Sequence, residues 1–191
     1  MSRRNYFIIN GITVYRIIAA PVLVILIFTD QQDIFKWLLA FSYFTDLIDG
    51  MLARKFHVTS IRGAWLDSIG DDLTIIVSMI GLFKFHKEFV QTEQLVFICL
   101  FSLFFLQLFL AFFRYHKFTT FHTYFAKLAA FLQGTFFILF FLLNEPIYIL
   151  FYMAVVVTAI ELIEEIILVL ILPKWQANVK GLYWVLTKKI E

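Results

Sequence analysis

Apolar residues dominate this chain in runs long enough to cross a bilayer, and short polar breaks separate them. A helix needs about 20 mostly apolar residues to span the hydrocarbon core. Six stretches meet that length, near residues 8–28, 34–53, 64–85, 94–113, 123–143 and 147–172. Thr29-Asp30-Gln31-Gln32-Asp33 divides the first pair. Asn144-Glu145-Pro146 divides the last pair, where Pro146 suits the first turn of a helix. The pattern predicts an all-α integral membrane protein with six transmembrane helices, in one domain over residues 1–191. After Pro173, the aromatic residues Trp175, Tyr183 and Trp184 mix with lysines. That mixture predicts a tail over 174–191 lying at the membrane surface, with a merely solvated tail as the alternative.

Composition agrees with the membrane reading. Hydrophobic residues make up 62% of the chain and charged residues 16%. A soluble domain of this size would expose far too much apolar surface at those values. The 25 phenylalanines suit lipid contact. The lone cysteine, Cys99, excludes an intrachain disulfide and a thiolate metal cluster. It sits among apolar neighbours and reads as a small apolar residue. The net charge of +2 is too small to argue for nucleic acid. No cleavable signal peptide is expected, because the first apolar run is long and lacks a small-residue cleavage site.

Loop charges set the expected orientation. With a cytoplasmic N-terminus, Arg3, Arg4, Arg54, Lys55, Arg62, Arg114, Lys117 and the lysines of the tail all face inward, and only Lys84 and Lys87 face outward. The positive-inside rule therefore predicts both termini in the cytoplasm.

Against this background, carboxylates recur at helical spacing. Asp46 and Asp49 are three apart near the end of the second stretch, and Asp67 and Asp71 are four apart near the start of the third. Residues three and four apart share a helix face. A carboxylate at membrane depth is expensive and is seldom there without a partner or a job. An antiparallel pair of helices would bring both faces together. Hard cations such as Mg²⁺ and Mn²⁺ take carboxylate and phosphate oxygens. Four carboxylates could hold two such ions about 4 Å apart, the spacing that clamps both oxygens of a phosphoryl displacement. Gly50 and Gly63 would let a ligand approach the backbone, and Arg54 offers a phosphate a fork of donors. The plainer reading, in which these aspartates cap helices or pair with Arg54 and Arg62, leaves the common spacing unexplained. Asp72 follows Asp71 directly and breaks the spacing, so it reads as a supporting polar residue.

The residues from Asp46 to Asp71 run D-x-x-D-G-x-x-A-R, eight residues, then G-x-x-x-D-x-x-x-D. That pattern resembles the signature of the CDP-alcohol phosphatidyltransferase family at every fixed position, Ala53 included. Asn10, Thr13 and Arg16 are similar to the N-x-x-T-x-x-R that often opens the family's first helix. The resemblance implies transfer of a phosphatidyl group from a CDP-linked lipid, CDP-diacylglycerol, to the hydroxyl of a small alcohol, with release of CMP. It implies Mg²⁺ or Mn²⁺, two ions. Asp46 and Asp67 would ligate both, Asp49 one, and Asp71 the second. Asp71 would also be the general base. Gly50, Ala53, Arg54, Ser60 and Gly63 would contact the CDP moiety, with the stretch around Asn10 and Thr13 closing over it. It implies phospholipid synthesis by a homodimer, expected in a bacterial inner membrane with the site facing the cytoplasm.

The acceptor is less legible. A phosphorylated acceptor such as glycerol 3-phosphate needs cations, and Arg16, Arg114, Lys117 and Lys127 are the candidates. Arg114 and Lys117 equally suit positive-inside anchors. Arg16 reads first as a phosphate ligand, with neutralisation of the aspartates as the alternative. Lys127 reads first as an ion-pair partner of Glu161, Glu164 or Glu165, with substrate binding as the alternative. His57 is given no role. Two other functions fit parts of the pattern. A membrane prenyltransferase would need two Asp-rich motifs far apart. A cation transporter would show repeats or broken helices at the bilayer midplane.

Overall fold

The computed structural model describes residues 3–56, 61–116, 121, 123–174, 176 and 179–188, with the side chains of 3–13, 47, 49–56, 61–68 and 188 outside the described set. The described residues are predominantly helical, with no strand among them. The helices are α1 Arg3–Phe28, α2 Gln32–Phe56, α3 Ile61–Phe85, α4 Lys87–Thr92, α5 Gln94–Tyr115, α6 Tyr124–Leu143, α7 Tyr148–Ile171 and α8 Leu182–Lys188. The six long helices coincide with the six apolar stretches. The two short ones, α4 and α8, fall where hydropathy alone predicts no span.

Among the described residues, α5 and α6 are long and apolar enough to cross a membrane by themselves. α7 is equally long, but Glu161, Glu164 and Glu165 lie within it. α5 exposes Phe105, Phe109 and Phe113, as a helix does when its neighbour is lipid. The breaks use left-handed residues. Asp30, His116 and Asn144 all have positive φ, at 55°, 52° and 57°. Asn and Asp tolerate that region through local hydrogen bonding. His116 closes α5 with its N–H on the Phe112 carbonyl at 2.8 Å.

The chain forms two compact units. The first comprises 1–90 and 137–145, the second 91–136 and 146–191.

In the first unit, α1 packs along both α2 and α3, which touch each other far less. The reason lies in residue size. Ala19 and Ala20 are buried on α1, and Gly70, Thr74, Ser78 and Gly81 recur on one face of α3. Apolar burial drives helices together weakly in lipid, and small residues let backbones come close enough for dispersion and polar contacts to act. Gly81 has a packing reason of its own. A Cβ there would lie 2.5 Å from the Phe35 ring, itself fully buried against Phe85 and Phe141.

His86 follows α3, with its ring centroid 4.5 Å from Phe140 and 5.5 Å from Phe141. Burial pushes its imidazole below the ordinary value. The folded protein therefore keeps His86 neutral where the unfolded chain would protonate it. The stability this group contributes is complete above the ordinary imidazole pKa of about 6.5 and is lost as pH falls through that value. Melting temperature should fall as pH drops below about 6.5, and His86→Phe should flatten that part of the curve. An unchanged curve in the variant would remove His86 as the cause.

In the second unit, Ala111, Phe121, Leu168, Val169, Leu172 and Val179 form a buried cluster, with Leu182 and Val185 of α8 packed on it. The Glu164 carboxylate accepts the Leu182 N–H at 2.8 Å, so it caps the start of α8. Gly181, at φ 149°, sits against the same carboxylate oxygen, at 3.0 Å from where a Cβ would be. Tyr124 donates its N–H to the Lys180 carbonyl and packs its ring on Trp184. Within the tail, Leu182–Lys188 is thus a short docked helix. Its exposed Tyr183, Trp184 and Leu186 form an aromatic and apolar face.

Candidate active site

Arg16 is the centre of the first unit's polar chemistry. It lies on α1, surrounded in sequence by Tyr15, Ile17 and Ile18, and its side chain is 1% exposed. A guanidinium cannot be deprotonated, so burying it demands anionic partners. Among the described residues, carboxylates from two other helices supply them. Nη1 donates to Asp46 Oδ1 of α2 at 2.6 Å, and Nη2 donates to Asp71 Oδ1 of α3. Arg16 lies against Gly70, where a Cβ would stand in ordinary contact, 3.4 Å from Arg16 Cζ. The aspartates are the open side of the arrangement, with side chains 37% and 44% exposed.

Around this centre the hydroxyls are tied down. Tyr43, one turn before Asp46, shares a 3.0 Å hydrogen bond with Ser78 of α3. Thr74 donates to the Gly70 carbonyl, and Ser78 to the Thr74 carbonyl, both at 2.7 Å. These bonds are internal to α3, so they satisfy the hydroxyls without leaving donors to compete for the carboxylates. Asp72 is exposed beside Asp71.

Asp46 and Asp71 do converge, as helical spacing predicts. The route differs from a simple meeting of α2 and α3, because α1 packs on both and its arginine bridges them. Asn10 and Thr13 on α1, Asp49, Gly50, Ala53 and Arg54 on α2, and Gly63 and Asp67 on α3 have side chains outside the described residues, and Ser60 and Lys117 lie outside them altogether. Among the described residues no cluster of three metal-capable side chains is present.

The remaining acceptor candidates belong to the second unit and already have contacts. Arg114 directs Nε and Nη2 at the Leu172 carbonyl, at 3.3 and 3.2 Å. The Tyr115 hydroxyl reaches the same carbonyl at 2.8 Å. Together they satisfy the end of α7, whose last carbonyls lack intrahelical partners. Lys127 is exposed, with Nζ 5.7 Å from the Tyr124 ring centroid. The ion pair expected between Lys127 and the α7 glutamates is not formed. Glu165 instead accepts Gln107 Nε2 at 2.8 Å, and Glu164 caps α8. Sequence reasoning missed Gln107, although a polar side chain inside an apolar stretch needs a partner. For Arg16 it offered neutralisation of the aspartates, the arrangement observed, only as the alternative to phosphate binding.

The sequence model of the family described as CDP-alcohol phosphatidyltransferase matches residues 6–163. The chain belongs to that family. The match contains Arg16 and all four aspartates of the CDP-alcohol phosphatidyltransferase signature, and it crosses both compact units. Family membership sets aside the prenyltransferase and transporter readings.

Three curated relatives are similar over part of their length. One is the cardiolipin synthase (CMP-forming) / mitochondrial hydrolase fusion protein of Schizosaccharomyces pombe, 37% identical over 70 residues, which is 36% of this chain and 12% of that protein. Another is the CDP-diacylglycerol–glycerol-3-phosphate 3-phosphatidyltransferase of Wigglesworthia glossinidia brevipalpis, 28% identical over 91 residues, 46% of this chain and 50% of that protein. The third is the protein of the same description from Pseudomonas fluorescens, 31% identical over 84 residues, 40% of this chain and 41% of that protein. The matched part of the chain thus spans half or less of these relatives' lengths. No solved structure matches it.

A hard divalent cation fits the carboxylates of this family member. Asp46 and Asp71 come from different helices, present oxygens to one centre of positive charge, and stay open to solvent. Oxygen donors of that kind are what Mg²⁺ and Mn²⁺ select.

Proposed function

We propose that this chain transfers the phosphatidyl group of CDP-diacylglycerol to the hydroxyl of a small alcohol, releasing CMP, with glycerol 3-phosphate the first acceptor to test. The observation that carries the reading is the convergence of Asp46 and Asp71 on one cationic centre. The names of two relatives support the choice of acceptor.

Asp46, Asp49, Asp67 and Asp71 would hold two Mg²⁺ or Mn²⁺ ions. When bound, these ions polarise the pyrophosphate and neutralise the departing CMP. The Asp71 carboxylate takes the proton of the acceptor hydroxyl as its oxygen bonds to the lipid phosphorus and the bond from that phosphorus to CMP breaks. Asn10, Thr13, Gly50, Ala53, Arg54, Ser60 and Gly63 are the proposed contacts to the CDP moiety. Lys117 and Lys127 remain candidates for an acceptor phosphate. Arg114 joins them only by giving up the Leu172 carbonyl. Arg16 we assign to the aspartates rather than to the acceptor.

The two units are treated as one family domain, because a single family match runs through both. Six spanning helices with both termini in the cytoplasm, a bacterial inner membrane and a homodimer complete the reading. Loop charge supports the orientation. The test is purified protein with Mg²⁺, CDP-diacylglycerol and a panel of alcohols. CMP should appear only with an acceptor, and most rapidly with a polyol phosphate. CMP with no acceptor present, or with none of the panel, would overturn the assignment.

A further inference from the structure

We propose that Arg16 is a resident counter-cation that competes with the metal for Asp46 and Asp71, so that it steadies the metal-free protein and loosens metal binding. The inference rests on the metal reading of these aspartates, and it concerns a residue outside the proposed ligand set.

The geometry separates a back and a front. Arg16 is 1% exposed and lies behind the carboxylates, against Gly70. The carboxylates keep 37% and 44% of their side chains exposed in front. A cation arriving from solvent therefore meets two carboxylates whose charge a guanidinium has already partly offset. Two like charges on neighbouring helices in a poorly hydrated place repel strongly, and a lone buried arginine is equally unfavourable. Pairing solves both problems before any metal arrives. It also ties α1 to α2 and α3 and holds both carboxylates on one guanidinium.

Competition has a definite sign. Replacing Arg16 by an uncharged residue removes the positive charge paired with Asp46 and Asp71, the carboxylates that would hold the metal. Attraction between the carboxylates and a divalent ion then rises, and the metal-free protein loses its internal neutralisation. By linkage, a substitution that weakens the metal-free state more than the metal-bound state must tighten metal binding. A residue that bound substrate phosphate would leave metal affinity alone. A residue that only filled space would destabilise both states equally.

The experiment compares wild type, Arg16→Gln, Arg16→Lys and the double variant Asp46→Asn/Arg16→Gln, purified as full chains in detergent. Melting temperature is read in chelator and in saturating Mn²⁺, and Mn²⁺ affinity is read by titration. Arg16→Gln should melt several degrees lower in chelator and much closer to wild type in Mn²⁺. It should bind Mn²⁺ about tenfold tighter or more. Arg16→Lys should stay within about threefold of wild type, because it keeps the charge. The double variant should regain stability in chelator, because it removes one charge of each sign. Equal loss of melting temperature in both media, or unchanged or weaker Mn²⁺ binding, would overturn the proposal. If Arg16→Gln does not fold, recovery of the double variant supports the proposal and its failure overturns it. Wild type that takes up no Mn²⁺ would defeat the metal reading itself, while the comparison in chelator would still judge the charge pairing.

Discussion

Asp71→Asn should lower CMP release by a factor on the order of 10²–10⁴, the range general-base catalysis supplies. An amide cannot accept the acceptor's proton, so the loss should fall on kcat more than on the KM for CDP-diacylglycerol. The substitution keeps shape and volume. Its side chain is 44% exposed and held by Arg16, so folding should survive. Asp46→Asn makes a useful contrast. It sits on the other arm of the same arginine, and its proposed work is metal ligation. Its activity should recover partly with excess Mn²⁺, whereas that of Asp71→Asn should not. Full activity in Asp71→Asn would remove it as the base.

Gln107→Leu should destabilise the protein by about 1–3 kcal/mol, the cost of a buried polar group left without its partner. Gln107 and Glu165 are 3% and 9% exposed, on α5 and α7, and their 2.8 Å bond is a buried side-chain contact between those helices inside an apolar unit. Membrane hydrogen bonds average below about 1 kcal/mol when both partners are removed together. The double variant Gln107→Leu/Glu165→Leu should therefore recover most of the loss. Thermal unfolding in detergent reads both. A single variant as stable as wild type would mean that Glu165 finds another partner.

Much of the fold was legible because lipid imposes a simple length rule. Each predicted span corresponds to one long helix, and the breaks at Asp30 and Asn144 are turns. α4 and α8 escaped because helices of six and seven residues leave no hydropathy signature. The site was half legible. Asp46 and Asp71 meet at Arg16, while their spacing partners Asp49 and Asp67 have side chains outside the described residues. Spacing could not say that α1 would wedge against both helices, because that depends on small residues meeting across helices, such as Ala19, Ala20 and Gly70. Arg16 therefore read first as a phosphate ligand, with neutralisation of the aspartates as the alternative. Lys127 misled for a related reason. Charge alone suggested a glutamate partner, but Gln107 and the α8 N-terminus were already in place for Glu165 and Glu164.

The most direct test strips the purified protein of metal and supplies CDP-diacylglycerol with glycerol 3-phosphate. CMP release should be absent in chelator and should return when Mg²⁺ or Mn²⁺ is added back. Release that continues unchanged in chelator, or that never appears with either ion, would contradict metal-dependent phosphatidyl transfer at Asp46 and Asp71.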